Sequence, residues 1–186
     1  IGYLNQDGGI SSVDPSTGKL TGVITDYVNL AENCLQGQTL EFELKGYDTR
    51  SELLQVLHDG KIDLIFHANQ NPYFAETNGF ALSDTLLTLN MAAITAKDSF
   101  DENKENIVAV EKDNFALKAY LSYNYPQWKV VEYETSNEAV KAMKKGEADC
   151  IVSNSGIVSD YLKNNKLYGV FLTKEADVSF AVQQGE

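Results

Sequence analysis

Hydrophobic and polar positions along the chain follow two periods in turn, one typical of strands and the other of amphipathic helices. This alternation predicts an α/β fold with parallel strands. The predicted strands are Ile1–Leu4, Leu40–Leu44, Ile62–Phe66, Leu86–Thr95, Ile107–Val110, Lys129–Tyr133, Cys150–Val152, Tyr168–Leu172 and Val178–Val182. The predicted helices are Thr21–Leu35, Ser51–His58, Asn114–Tyr123, Ser136–Lys145 and Ile157–Asn164.

Two segments between these elements follow neither the strand period nor the helix period. Asn5–Lys19 is rich in turn-forming residues and is predicted to be a loop, and Asp98–Glu105 is an acidic loop. Within the first predicted helix, the pattern places one apolar face on Val23, Tyr27, Leu30, Ala31 and Cys34.

One unit occurs twice in the chain at identical spacing, in Leu53–Phe66 and in Ala139–Val152. Each copy consists of a helical pattern, a glycine, two further residues, an aspartate and a buried strand. Gly60 and Gly146 can adopt the left-handed conformation that ends a helix. Chance recurrence of helix–glycine–strand units in an α/β protein is the alternative explanation.

Polar residues follow the strand in both copies, at His67–Asn71 and at Ser153–Gly156. In open parallel sheets, ligands bind beyond the carboxyl ends of the strands. The repeat therefore predicts two similar halves that form a ligand cleft.

Length and charge narrow the class of protein. The 186 residues suffice for one larger domain or two small lobes, and 43% of them are hydrophobic. A net charge of −12 argues against nucleic acid and against an anionic membrane surface as partners. No apolar run approaches the roughly 20 residues of a membrane helix.

The two cysteines, Cys34 and Cys150, are too few and too far apart for a metal site. We interpret them as two buried free thiols, with a disulfide between them as the alternative. No cofactor is indicated.

Five segments resemble, in order, motifs of the bacterial extracellular solute-binding proteins of family 3, the group that binds polar amino acids. Each motif is weak alone, but together they cover nearly the whole chain. Gly18–Val28 is similar to a G-x-x-x-G-hydrophobic-x-x-D helix entry, and Leu53–Phe66 is similar to L-x-x-G-x-x-D. Leu82–Asp84 is similar to F-S-x-P-Y. Gly146–Asn154 is similar to the second-lobe G-x-x-D segment, and Phe180–Val182 is similar to the return strand.

The resemblance implies a periplasmic-binding-protein type II fold, an α/β architecture of two lobes joined by two crossover strands with a ligand cleft between them. The crossovers are expected near Thr88–Thr95 and Ala176–Val182. Lobe one is expected to span residues 1–90 plus 181–186 and lobe two residues 91–180, together forming one solute-binding domain.

Both charged anchors of the family are missing at their expected positions. In the family, an arginine holds the carboxylate of the ligand and an acidic residue holds its ammonium group. The position of the arginine corresponds to Pro72–Asn78, which contains no arginine, and the position of the acid is occupied by Asn154. Unpaired buried charges are costly. We therefore expect a small polar ligand that is not a simple free α-amino acid.

Arg50 is a candidate replacement anchor, since it is the one arginine beside 14 lysines. It stands at the start of a predicted helix, where anions are favoured, and its guanidinium offers a bidentate fork to a carboxylate or phosphate. A solvated arginine at a helix start is the alternative.

Further candidates follow the first repeated strand. His67, Asn69 and Gln70 suit a neutral polar ligand, and Tyr73 offers an aromatic ring for stacking. The alternatives are a buried, hydrogen-bonded histidine and a core aromatic. Glu76 is the acid that we would assign to catalysis if the chain were a cleft enzyme.

Four candidates belong to the second half. Asp113 and Asn114 begin a predicted helix, where a capping role alone is the alternative. Ser153 and Asn154 end a buried strand and are polar without an obvious structural need.

Catalytic motifs are lacking: the chain has no nucleophile elbow, H-E-x-x-H motif, Walker loop or G-x-G-x-x-G. We assign the pair Asp101 and Glu102 to a solvated loop. The chain is therefore not expected to be an enzyme.

The function that follows is extracytoplasmic binding of a small polar solute by lobe closure, as the sensor domain of a membrane receptor such as a histidine kinase or diguanylate cyclase. The alternatives are the substrate-binding protein of an ABC uptake transporter and a cleft enzyme, a lyase or a glycosidase. Membrane association is expected only through a tether or partner outside this chain.

Overall fold

The apolar runs and amphipathic stretches form fourteen strands and six helices within the residues described by the computed structural model, which are 1–7, 9–34, 37, 39–69, 72–112, 114–163 and 166–185. These residues divide into two compact units. Unit 1 comprises residues 1–68, 75–84 and 179–186, and unit 2 comprises residues 69–74 and 85–178.

The first ten elements lie largely in unit 1. They are β1 (Gly2–Leu4), β2 (Gln6–Asp7), β3 (Ser11–Val13), β4 (Leu20–Thr21), α1 (Val23–Cys34), β5 (Lys45–Tyr47), α2 (Arg50–His58), β6 (Leu64–Asn69), α3 (Pro72–Thr77) and β7 (Phe80–Leu82). The other ten are β8 (Leu87–Leu89), β9 (Met91–Thr95), β10 (Ile107–Glu111), α4 (Phe115–Asn124), β11 (Lys129–Tyr133), α5 (Ser136–Lys145), β12 (Ile151–Asn154), α6 (Ser155–Leu162), β13 (Tyr168–Phe171) and β14 (Ala176–Gln183).

The main sheet of unit 1 has the strand order β5-β1-β6-β14-β7, and β1 runs parallel to both β5 and β6. A cluster of buried apolar side chains surrounds α2, including Leu53, Leu57 and Ile65. Three aromatic rings pack together nearby, with Tyr27 4.9 Å from Phe180 and Phe66 5.5 Å from Phe180 between ring centroids. The carboxyl ends of β5, β1 and β6 therefore meet at one edge of a packed sheet.

Unit 2 contains a parallel pair, β10 and β11, and an antiparallel group in the order β12-β9-β13. A parallel bridge between Val108 and Cys150 links the two groups. One buried cluster contains Tyr120 and Leu121 of α4, and another contains Ala139 and Met143 of α5 together with residues of α6.

Both copies of the repeated unit form as predicted. Thr49 and Thr135 cap α2 and α5, and each hydroxyl accepts a backbone N–H three residues later at 3.2 Å. Gly146 ends α5 with φ of 79°, and Gly60 follows α2 with φ of 65°. These left-handed conformations end the helices one turn before the strands begin.

Two local predictions are wrong. Asn5–Lys19 is not an irregular loop, because it holds β2 and β3, which pair antiparallel. Leu40–Leu44 alternates half-buried apolar with exposed acidic residues but is not a strand. The strand is Lys45–Tyr47, because those residues are the ones that pair in register with β1. The prediction also missed α3 and β7.

The apolar face of α1 differs from its predicted position by one residue. Ile24 and Val28 are buried, whereas Leu30 is 64% exposed.

Cys34 is exposed and Cys150 is buried, and both thiols are free, so the expectation of two buried thiols is wrong for Cys34. None of the described helices has the length and apolar content required to cross a membrane.

Candidate functional site

Three polar side chains meet at the carboxyl edge of the parallel strands in unit 1. Asp7 follows β1, Arg50 follows β5 as the first residue of α2, and His67 lies near the end of β6. In open parallel sheets, ligands bind beyond the carboxyl ends of the strands, at such an edge. The carboxyl edge of this sheet therefore carries a cluster of three residues, two of which, Arg50 and His67, were predicted as site residues.

Local structure holds two members of this cluster in place. Asp7 lies in β2, which pairs with β3 through Asp7 and Ser11. Arg50 is positioned by α2, whose N-terminus is capped by Thr49 and whose buried face contains Leu53 and Leu57.

Asp7 contacts both of its neighbours. Nη2 of Arg50 lies 3.4 Å from Oδ1 and 3.5 Å from Oδ2 of Asp7, so one guanidinium nitrogen faces both carboxylate oxygens. Nδ1 of His67 lies 3.2 Å from Oδ2 of Asp7. The side chains of Asp7 and His67 are 10% and 8% exposed, and that of Arg50 is 28% exposed.

The environment of His67 disfavours its charged form. Burial lowers the pKa of His67 below its ordinary value of 6.5, the carboxylate of Asp7 opposes this shift, and the guanidinium of Arg50 adds to it. Within the described part of the chain, Nδ1 of His67 has no hydrogen-bond partner, although Oδ2 of Asp7 lies 3.2 Å away. The cluster thus carries one negative and one positive charge.

Asp7 is the residue of this cluster that the sequence analysis missed. It was assigned to a loop, although Asn5, Gln6 and Asp7 directly follow a buried strand, as His67 does. Applying the strand-end rule to the first strand would have found it.

In unit 2, three helices begin just after strands β10, β11 and β12, and each has a polar N-cap. Oδ1 of Asn114 accepts the N–H of Leu117 at 3.1 Å, and Oδ1 of Asn154 accepts the N–H of Gly156 at 2.9 Å. The interpretation that Asn154 lacks a structural need is therefore wrong, because its amide oxygen caps α6. Ser153 is half-buried in β12, opposite Ala92 of β9.

The other predicted residues lie elsewhere. Tyr73 is 78% exposed on α3, and Glu76 is exposed on the same helix. Asn69 is the last residue of β6, and its side chain is outside the described part of the structure. Gln70 and Asp113 lie outside the described residues.

Glu102 has a structural role that its assignment to a solvated loop did not anticipate. Its carboxylate accepts the hydroxyl of Tyr125 at 2.9 Å and the N–H of Thr173 at 3.0 Å, and its carbonyl accepts Nε1–H of Trp128 at 3.0 Å. Burial alone raises the pKa of Glu102, but the hydrogen bonds from Thr173 and Tyr125 lower it below its usual value.

Across the described ranges, no group of three His, Cys, Asp or Glu residues could hold a metal ion.

No family model matches the chain. Among curated proteins, it is 22% identical over 163 residues to a probable histidine-binding protein of Neisseria gonorrhoeae, covering 83% of this chain and 58% of that protein. It is 28% identical over 128 residues to the virulence sensor protein BvgS of Bordetella pertussis, covering 66% of this chain and 10% of BvgS. The chain thus spans only part of either relative.

Solved structures agree on the fold. The periplasmic VFT2 domain of Bordetella pertussis BvgS matches with a TM-score of 0.77 at 24% identity, over 100% of this chain and 80% of that one. The solute receptor for L-cysteine of Neisseria gonorrhoeae matches with a TM-score of 0.71 at 20% identity, over 99% and 76%. An ancestral amino acid-binding protein, a precursor of cyclohexadienyl dehydratase, matches with a TM-score of 0.70 at 21% identity, over 99% and 80%.

The predicted resemblance and fold class are confirmed by these relatives. The chain is similar in sequence to a probable histidine-binding protein and to BvgS, and it has the type II periplasmic-binding-protein fold.

Proposed function

We propose that the chain is an extracytoplasmic domain that binds a small polar solute and serves as the sensor domain of a membrane receptor. The observation that carries this proposal is the Asp7–Arg50–His67 cluster at the carboxyl edge of a parallel sheet, on a fold used for solute binding. Such an edge is where this class of sheet presents polar groups to a ligand.

The sensor role is supported by two likenesses to the same signalling protein. BvgS is a virulence sensor, and its periplasmic domain shares the fold over the whole chain. A transport role, as the substrate-binding protein of an ABC transporter, is supported by the likeness to a probable histidine-binding protein.

In our proposal, residues 1–90 plus 181–186 form lobe one and residues 91–180 form lobe two. Solute contacts made by both lobes favour a closed state, because a ligand shifts a two-state equilibrium by its differential affinity for the two states. Arg50, His67, Asn69, Gln70, Tyr73 and Glu76 are proposed contacts from one side, and Asp113, Asn114, Ser153 and Asn154 from the other.

The chain is proposed to bind its solute without turnover. Most of its relatives are binding proteins, and one neighbour is a precursor of a dehydratase. The acid assigned to the enzyme alternative, Glu76, is exposed on a six-residue helix. Product formation from any bound solute would contradict this part of the proposal.

A thermal-shift screen tests solute binding directly. The twenty amino acids, simple sugars, amines, dipeptides and carboxylates are added to the purified domain, and each positive solute is measured by calorimetry. We expect stabilisation by a small polar solute outside the standard amino acids. A panel in which every solute left the unfolding temperature unchanged would contradict the proposal, and micromolar binding of a standard amino acid would contradict the expected solute class.

Arg50→Ala then tests the site with the solute found. Loss of a charge-assisted contact costs about 1.5–3 kcal/mol, or roughly 10- to 150-fold in affinity. Lys45→Ala is the matched control, since Lys45 is an exposed cation in unit 1 paired with Glu43. Equal affinities of the two variants would contradict the placement of the site.

The sensor role is tested in the full-length protein. Addition of the solute should change the output of the attached signalling domain, and solute uptake that depends on the protein would instead support the transport alternative.

A further inference from the structure

Arg50 already has an anionic partner inside the chain. The Asp7 carboxylate lies 3.4–3.5 Å from Nη2 of Arg50, and the carboxylate is largely withdrawn from solvent at 10% exposure. An anionic ligand group that approached this guanidinium would meet a second negative charge beside it.

His67 fixes the charge balance of the cluster. Its Nδ1 lies 3.2 Å from Oδ2 of Asp7, and burial disfavours its charged form. It therefore supplies no second positive charge that could stabilise an added anion. A carboxylate or phosphate that bound beside Asp7 would be repelled by its charge, and one that took over Nη2 of Arg50 would leave the buried carboxylate of Asp7 without its partner, which is strongly unfavourable.

We propose that Asp7 is a specificity-determining residue that excludes anionic solutes by acting as the internal counter-ion of Arg50. The inference rests on the proposed solute-binding function and narrows the solute class to polar molecules without net negative charge. It also limits Arg50 as an anion anchor, because the guanidinium already has the carboxylate of Asp7 as its counter-ion.

Asp7→Asn tests the inference with inorganic phosphate as the probe. The amide keeps the size of the side chain and removes its charge, so Arg50 is left without its counter-ion. We expect phosphate to bind the variant at least tenfold more tightly than the unaltered protein, as measured by calorimetry at constant ionic strength. Adding Arg50→Gln to the variant should abolish the gain.

Asp160→Asn is the matched control. It changes the net charge by the same amount, and Asp160 forms an exposed ion pair with Lys163 at 3.4 Å. Equal phosphate affinity in the unaltered protein and in Asp7→Asn would overturn the inference, as would an equal gain in Asp160→Asn. This test needs no natural solute, so its failure is distinct from a negative solute screen, which would overturn the proposed function.

A second measurement applies if Asp7→Asn does not fold. The chain has two histidines, His58 and His67, so NMR titration follows each ring separately. Arg50→Gln should raise the pKa of His67, because the guanidinium beside Asp7 lowers it. An unchanged titration of His67 would show that Arg50 is not part of this cluster and would overturn the inference.

Discussion

Acidification below pH 6.5 is expected to destabilise the protein through His67. The imidazole is 8% exposed, and burial lowers its pKa in the folded state below the ordinary value of 6.5. Between these two pKa values the unfolded chain binds more protons than the folded chain. The contribution of neutral, buried His67 to the free energy of unfolding is therefore fully present above pH 6.5. It is lost as the pH falls towards the folded-state pKa.

One titrating group sets the magnitude. From pH 6.5 to 5.5 the free energy of unfolding falls by at most about 1 kcal/mol, and the slope below this range cannot exceed about 1.4 kcal/mol per pH unit. Asp7 works against the loss, because its carboxylate favours the charged imidazole. Carboxyl groups with lowered pKa values lose their contribution only below their ordinary values of 3.8 and 4.5, and they are Asp14, Asp59, Asp101 and Glu102.

The assay is urea unfolding followed by circular dichroism between pH 7.5 and 4.5, on the unaltered protein and on His67→Gln. The variant should have a flatter dependence of unfolding free energy on pH, since the titrating group is gone. His58→Gln is the control, because His58 is exposed at the end of α2. Parallel curves for the unaltered protein and His67→Gln would refute the reasoning. A rise in stability on acidification would show that attraction to Asp7 outweighs burial.

Two further predictions concern the cores of the units. Leu57→Ala should destabilise the protein by about 2–5 kcal/mol, because Leu57 is 1% exposed and its loss leaves a cavity. The control Leu30→Ala should change the unfolding free energy by less than about 0.5 kcal/mol, and equal effects in urea unfolding would contradict the core assignment. Glu102→Ala should cost about 1–3 kcal/mol, because the Tyr125 hydroxyl and the Thr173 N–H lose their acceptor. Fluorescence of Trp128, the single tryptophan, follows this unfolding, and a comparable loss in the exposed control Glu105→Ala would contradict the role of Glu102.

The elements with strong local signals were predictable from the sequence alone. The bounds of β11 and α5 agree residue for residue with their predictions. In α5, a capping threonine, apolar residues spaced by three and four, and a glycine after the last turn all favour one conformation. The repeated helix–glycine–strand unit also indicated an α/β fold of two similar halves, and the solved structures confirm the fold class.

Tertiary structure decided what local patterns left open. The alternation in Leu40–Leu44 suits a strand, yet β5 begins at Lys45 because pairing with β1 selects the register. Asn154 resembled an unused polar residue until its amide was found to cap α6.

The cluster of Asp7, Arg50 and His67 depended on tertiary structure most of all. Its members are separated by 43 and 17 positions and share no motif. The sequence identified Arg50 and His67 as separate candidates, each argued from its own strand or helix. Only the parallel order β5-β1-β6 brings the ends of three strands to one edge, and so places the carboxylate of Asp7 between the guanidinium and the imidazole.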